Sequence, residues 1–343
     1  MTVQLLENAV SGEPVSREQA AELLRAFARG EVGPELLAAA LTALRIRGES
    51  VPALLGFVDV LREHMVPVEA EGLEAVDLCG TGGDGQGTVN LSTAAAFVVA
   101  GTGVKVAKHG NHGVSSPTGS VDVLGALGIP ALRDPALAAR SLREFGLAFI
   151  YAPAHHPLFA RIGPVRRQLG FRTAFNLLGP VCNPARVRRQ VIGVPSLAAM
   201  ESLAEVLLKL GTERALVVHT PGPYDEVSLT APTQAIQVMD GALEALELPP
   251  EVFGTEGVDP IALKGGDPAF NAARIFEVLQ GEPGGLAAAI CANAACALWI
   301  AGAAVDLREG FAQAQTSIQS GNALAKLMAL RAFSLEVSRA VAV

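Results

Sequence analysis

At 343 residues the chain is long enough for one large domain or two, and with half its residues hydrophobic and 17% charged it excludes extended disorder. The formal net charge of −8 argues against a broad nucleic-acid surface. The four cysteines, Cys79, Cys182, Cys291 and Cys296, lack C-x-x-C spacing and MTVQLLENAV lacks the features of a signal peptide, so the expectation is reduced, buried thiols in a cytoplasmic protein.

Residues 1–65 read as all-helical. Ser16-Arg17-Glu18-Gln19 fits a capping box and Gly30 a helix stop. Further helices fit Pro34 to Arg47, ending at Gly48, and Val51 to His64. The pattern changes near Ala70. AVDLCG (75–80) reads as a strand, STAAAFVVAG as a helix, VKVAK (104–108) as a strand, SVDVLGALG as a helix and LAFIYAP (147–153) as a strand. After a helical, turn-rich insert at 164–184, RQVIGV, a helix from Ser196 to Leu210 and RALVVHT resume the alternation, which predicts an α/β fold with a mainly parallel sheet. From Pro268 onward the chain reads as mostly helical. LAAAICANAACALWIAGAAV (286–305) is long enough to span a bilayer, but its alanines, the central Asn293 and the absence of a basic flank favour a buried core helix.

The stretch DLCGTGGDGQGTVNLST contains G-x-G-x-x-G at Gly80, Gly82 and Gly85. A dinucleotide site needs its helix to begin inside that motif and an acidic residue about 20 positions on. Here the helix starts only near Asn90, and the next strand ends in Lys108. The glycines instead suit close approach of backbone N–H groups to phosphate, with Asn90, Ser92 and Thr93 capping the following helix and Lys108 adding charge. A second glycine-spaced loop, KHGNHGVSSPTGS, offers Lys108, His109, Asn111, Ser115, Ser116 and Ser120. Two such loops side by side suit a ligand with more than one phosphate. His109 and His112 find no third ligand for zinc. Asp225 and Glu226 form a carboxylate pair of the kind that holds magnesium beside phosphates. Arg166, Arg167 and Arg172 form a basic group that suits a carboxylate ligand. Singly, each of these elements also fits an ordinary turn or a solvated surface.

Taken in order, GTGGDG-x-x-T-x-N-x-ST, KHGN-x-x-x-SS-x-x-GS, PVR-x-x-LG-x-RT-x-FNLLGP and DE-x-SLT-x-PT closely resemble anthranilate phosphoribosyltransferases. The resemblance runs from the N-terminal helices to about Thr233. It implies a small helical domain of residues 1–70, completed by the insert near 164–184, and a larger α/β domain of 71–163 and 185–343. It implies a homodimer that joins anthranilate to 5-phosphoribosyl 1-diphosphate (PRPP) with magnesium, two ions per monomer, and without nucleic-acid or membrane partners. Gly80, Gly83, Asp84, Thr88, Asn90, Leu91, Ser92, Thr93, Lys108, Asn111, Ser115, Ser116 and Ser120 would contact PRPP. Gly80, Asn111 and Arg166 would face anthranilate; Ser92, Asp225 and Glu226 would hold metal; His109 would lie beside the reacting centre. No general base is assigned. The chain departs from the family pattern at His112, where arginine is usual, at Val89 in place of phenylalanine, and at Gly125 in place of glutamate. Two other readings share the fold: a pyrimidine-nucleoside phosphorylase, and a non-enzymatic nucleic-acid-binding relative. Asn111, Arg166 and DE-x-SLT favour the transferase over the first, and the intact motifs with the acidic charge favour it over the second.

Overall fold

The computed structural model describes residues 2–83, 85–113, 118–222 and 224–341. Four helices open the chain: α1 (Thr2–Ser11), α2 (Arg17–Arg29), α3 (Pro34–Arg47) and α4 (Val51–Glu63). Ser16 Oγ accepts from the Gln19 N–H while Gln19 Oε1 accepts from the Ser16 N–H, and Gly30 ends α2 in the left-handed region.

Strands and helices then alternate: β1 (Ala75–Gly80), α5 (Leu91–Gly101), β2 (Lys105–Gly110), α6 (Ser120–Ala126), α7 (Pro135–Phe145) and β3 (Leu147–Tyr151). Short α8 (Ala152–His155), α9 (Pro157–Leu169) and α10 (Phe175–Leu178) follow, then β4 (Arg189–Gly193), α11 (Leu197–Lys209) and β5 (Arg214–His219). A hairpin of β6 (Thr233–Met239) and β7 (Ala242–Leu248) precedes α12 (Pro268–Leu279), α13 (Gly285–Ala301), α14 (Leu307–Gln319) and α15 (Asn322–Val341).

The sheet has the order β3-β2-β1-β4-β5-β6-β7. β3 through β5 run parallel, as the alternation predicts, and β6 and β7 add an antiparallel edge. The strand–helix alternation does not foretell that hairpin, because ALEALEL carries the residues of a good helix former. Its turn is nonetheless written as Asp240-Gly241, both at positive φ (52° and 74°), a pairing that suits a tight hairpin.

Alternate strand residues feed different cores. Val76, Leu78, Leu216 and Val218 pack with α5 and α13 on one face. Cys79, Ile192, Ala215 and Val217 pack on the other face with α11, the N-terminal helices and residues of α9 and α10. The insert is thereby joined to the helical bundle through Val165, Phe175 and Leu178. All four cysteines are buried and unbridged. α13 is buried around most of its circumference and ends at Gly302; no helix among the described residues is long and apolar enough to cross a membrane.

β1 leads to β2 and β3 on one side, while β4 lies on its other side. Strand order therefore reverses between β1 and β4. In open α/β sheets the crevice beyond the strand ends at such a point is where ligands bind.

Candidate active site

A cleft of about 1050 Å³ opens there, walled by both glycine-rich loops, the Asp225-Glu226 loop and one side of α9 and α10. Its floor depends on a glycine pair. Gly80 and Gly193 are register partners at the ends of β1 and β4. A Cβ on Gly193 would sit 1.5 Å from the Asp225 carbonyl oxygen, and one on Gly80 would sit 2.4 Å from Asp225 Oδ2. Only glycine at both positions lets the carboxylate loop lie across the strand ends.

That loop is fastened on several sides. Gly82 N–H donates to Asp225 Oδ2 at 2.6 Å, and Ser92 N–H donates to Glu226 Oε1 at 2.9 Å. Thr220 Oγ1 donates to the Glu226 carbonyl at 2.8 Å. Asn293 works from beneath: its Oδ1 accepts from Val227 N–H at 3.2 Å and its Nδ2 donates to Val227 O at 2.8 Å and to Ala289 O at 2.9 Å. In the sequence Asn293 stands out only as a polar break in an apolar helix. The available signal was that a buried amide must find partners.

Glu226 is held where its charge is disfavoured. Burial, with the Asp225 charge beside it, pushes the Glu226 carboxyl up to about 8, and Glu226 Oε2 is buried with no hydrogen-bond partner among the described residues. Lys108 is also buried; its ammonium donates to the Leu78 carbonyl and to Ser92 Oγ at 3.3 Å. Carboxyl and hydroxyl oxygens, one of them buried without a partner among the described residues, are the donor set that a hard dication requires, so Asp225, Glu226 and Ser92 fit magnesium.

The opposite wall comes from α9 and the residues after it. Arg166 is half-buried, and its guanidinium makes no hydrogen bond or ion pair among the described residues. Burial, and then the neighbouring charge of Arg172, lower its proton affinity. Arg172 donates from Nη1 to the Gly82 carbonyl at 2.5 Å, which ties this wall to the first loop. Arg167 is exposed beside it.

His109 lies between the two ends. Its Nδ1 is 3.1 Å from the Gly179 carbonyl, so that nitrogen carries the proton, and Nε2 is buried without a partner among the described residues. Burial, followed by His156 at 5.1 Å between ring centroids, lowers its pKa to about 3, which leaves a neutral imidazole. Beneath it, fully buried Asp77 accepts from Asn183 Nδ2 at 2.8 Å and from His109 N–H at 3.3 Å, joining β1, β2 and the end of the insert.

The second loop is gathered by Asp122. Its Oδ2 accepts from Gly113 N–H at 2.9 Å and Gly119 N–H at 2.8 Å, while His112 Nδ1 sits 2.5 Å from Oδ1. Burial raises the Asp122 carboxyl, but these amides and His112 outweigh it and hold the group below its ordinary value.

Gly80, Gly83, Thr88, Asn90, Ser92, Thr93, Lys108, His109, Asn111, Ser120, Arg166, Asp225 and Glu226 all line the cleft. Asp84, Ser115 and Ser116 lie outside the described residues. The Leu91 side chain is fully buried in the core, so any part it has in the site is through its main chain. Asn90 occupies the N-cap position of α5, yet its side chain makes no capping bond and turns instead to Thr118 and Asn271.

Residues 3–65 match the family described as "Glycosyl transferase family, helical bundle domain", and residues 72–324 match "Glycosyl transferase family, a/b domain". The chain is 46% identical over 330 residues to an anthranilate phosphoribosyltransferase of Bradyrhizobium sp., covering 96% of this chain and 98% of that protein. It is 45% identical over 344 residues to one from Thermomicrobium roseum, covering 99% of each. Among solved structures it is similar to anthranilate phosphoribosyltransferase from Thermus thermophilus, at a TM-score of 0.90 and 40% identity over 96% of this chain and 99% of that one. It is also similar to the Saccharomyces cerevisiae enzyme in complex with PRPP and Mg, at a TM-score of 0.88 and 25% identity over 98% of each chain.

Proposed function

The chain belongs to the anthranilate phosphoribosyltransferase family of glycosyl transferases, and from that premise we propose how its cleft divides two substrates between two ends. The reaction transfers the phosphoribosyl group of PRPP to the amine of anthranilate, giving N-(5-phosphoribosyl)anthranilate and pyrophosphate, a step of tryptophan biosynthesis.

PRPP lies over the strand ends, its diphosphate against the first glycine loop and the start of α5, with Thr88, Asn90, Ser92 and Thr93 as contacts. Lys108, Asn111 and Ser120 bound it from the second loop. Asp225, Glu226 and Ser92 hold magnesium, two ions per monomer. Anthranilate lies toward α9, its carboxylate on Arg166, with Asn111 and Gly80 beside its ring. The division follows the charges: buried carboxyl groups at one end of the cleft and, at the other, a guanidinium with no partner among the described residues. That opposition is the observation on which the reading rests.

As pyrophosphate leaves C1, positive charge develops on the ribose and negative charge on the leaving group. Bound magnesium supplies charge that offsets the latter. Main-chain N–H groups of the glycine loop and the N-terminus of α5 add fixed dipoles aimed at the same oxygens. The aromatic amine is a weak nucleophile, so Arg166 contributes by holding the ring where its nitrogen faces C1. His109 stays neutral, which avoids placing a cation beside the cationic sugar.

The fold also suggests a helical unit of 1–70 completed by 164–184, since α9 and α10 share the bundle's core. A homodimer joined through that unit, working in the cytoplasm, completes the proposal. Anthranilate fluorescence tests the activity. Signal loss that requires both PRPP and magnesium is expected; well-folded chain that leaves anthranilate unchanged under those conditions would refute it.

A further inference from the structure

The segment 263–271, which follows the β6–β7 hairpin and runs into the first turn of α12, carries no motif, yet it grips both substrate loops. Val89 N–H donates to the Leu263 carbonyl at 2.9 Å, and Gly265 N–H donates to the Gly87 carbonyl at 2.8 Å. Thr88 and Lys264 are thereby bridged as antiparallel backbone. A Cβ on Gly265 would lie 2.7 Å from the Thr88 carbonyl group and 2.8 Å from Asn271 Oδ1, so glycine permits this approach.

A closed ring of hydrogen bonds stands on that contact. Gly266 N–H donates to Asn271 Oδ1 at 2.8 Å, Asn271 Nδ2 to Asn90 Oδ1 at 3.2 Å, and Asn90 Nδ2 to the Thr118 carbonyl at 3.1 Å. Thr118 Oγ1 closes the ring by donating to the Gly266 carbonyl at 2.8 Å. The direction of each amide is forced. A main-chain N–H only donates, so Asn271 must present its oxygen to Gly266 and its nitrogen to Asn90. A carbonyl only accepts, so Asn90 must present its nitrogen to Thr118 and its oxygen to Asn271. Asn271 and Thr118 are 1% and 4% exposed, and at that burial a broken link leaves a polar group without water to replace its partner.

Taking the cleft as the PRPP site, we propose that Asn271 is a positioning residue for PRPP, acting with Thr118. The ring fixes the Asn90 amide and ties the first glycine loop to the second. Both loops then meet the ligand in one arrangement, and less ordering cost is left to the binding step. Anthranilate takes its charged contact from Arg166 on α9, which no bond of this ring touches.

Calorimetric titration of the full chain with PRPP and magnesium tests the inference, alongside KM for anthranilate at saturating PRPP. Asn271→Ala and Thr118→Val each break the ring at a different link and are expected to weaken PRPP binding by about tenfold. KM for anthranilate should stay within about twofold of wild type. Thr118→Ser keeps the hydroxyl and should restore PRPP affinity. Wild-type affinity in both ring-breaking variants would overturn the inference alone. So would equal weakening of both substrates in step with a lower melting temperature, the mark of a merely structural role. A wild-type chain that binds no PRPP would overturn the reading of the cleft and this inference with it. If Asn271→Ala does not fold, the Thr118 pair decides between these results.

Discussion

The two ends of the cleft are built by different means. The Asp225-Glu226 loop is fixed to β1, α5, Thr220 and α13 by hydrogen bonds, and glycines at the ends of β1 and β4 admit it. Arg166 rides on α9, whose buried face packs in the core that the helical bundle shares with one face of the sheet, and its guanidinium has no partner among the described residues. The carboxyl groups are held in place in advance by hydrogen bonds, whereas the arginine waits for its ligand. A site with this division can bind a metal-phosphate substrate at its carboxylate end and a small aromatic acid at its arginine end.

The largest effect should come from removing charge at the fixed end. Glu226→Gln keeps the shape and should lower turnover by about a hundredfold or more, read as initial rate at saturating substrates. At the other end, Arg166→Ala should raise KM for anthranilate by roughly 10- to 100-fold. A comparable loss of PRPP affinity in that variant would break the comparison.

Asn293→Ala tests how the floor is held. It strands the Val227 N–H and carbonyl in the core and should cost about 2–4 kcal/mol, a fall in melting temperature of several degrees. Loss of stability without loss of magnesium-dependent PRPP binding would show that the other bonds suffice.

Beside His109, acid should act. Burial lowers the His156 pKa to about 4 against an ordinary 6.5, so the fold favours its neutral form. That stability is fully present above pH 6.5 and is lost as pH falls toward 4, amounting to about 3 kcal/mol at most. Melting temperature should therefore fall over this window, and His156→Phe, which suits the contacts with His109 and Phe159, should flatten the fall.

The smallest effect belongs to the His112–Asp122 pair. His112 is half-exposed, so His112→Ala should change stability by less than about 0.5 kcal/mol, measured by denaturant titration. Restoring the arginine usual in the family, His112→Arg, should strengthen PRPP binding, since His112 lines the cleft.

Local chemistry made most of the site legible. Glycines between strand and helix, adjacent carboxylates and clustered arginines each announce themselves over a few residues, and the alternation of strands with helices announces the parallel sheet. What the sequence hid depends on distance along the chain. Asn271 meets Asn90 across 181 positions and Asn293 meets Val227 across 66, and nothing near either residue tells which backbone group it will find. Leu91 shows the converse: it sits inside a ligand motif, but helical geometry turns its side chain to the core. The β6–β7 hairpin escapes a reading by pattern because tertiary pairing overrides the helical propensity of ALEALEL, although Asp240-Gly241 marks the turn.

The most direct test of two separately built ends is a crossed binding measurement. PRPP affinity with magnesium and KM for anthranilate would be determined for Glu226→Gln and Arg166→Ala in parallel. Glu226→Gln should lose magnesium-dependent PRPP binding, while Arg166→Ala should keep PRPP affinity near the wild-type value and lose anthranilate. If both variants weaken both substrates to the same extent, the two ends act as one unit and the division of the cleft between fixed carboxylates and a free arginine is wrong.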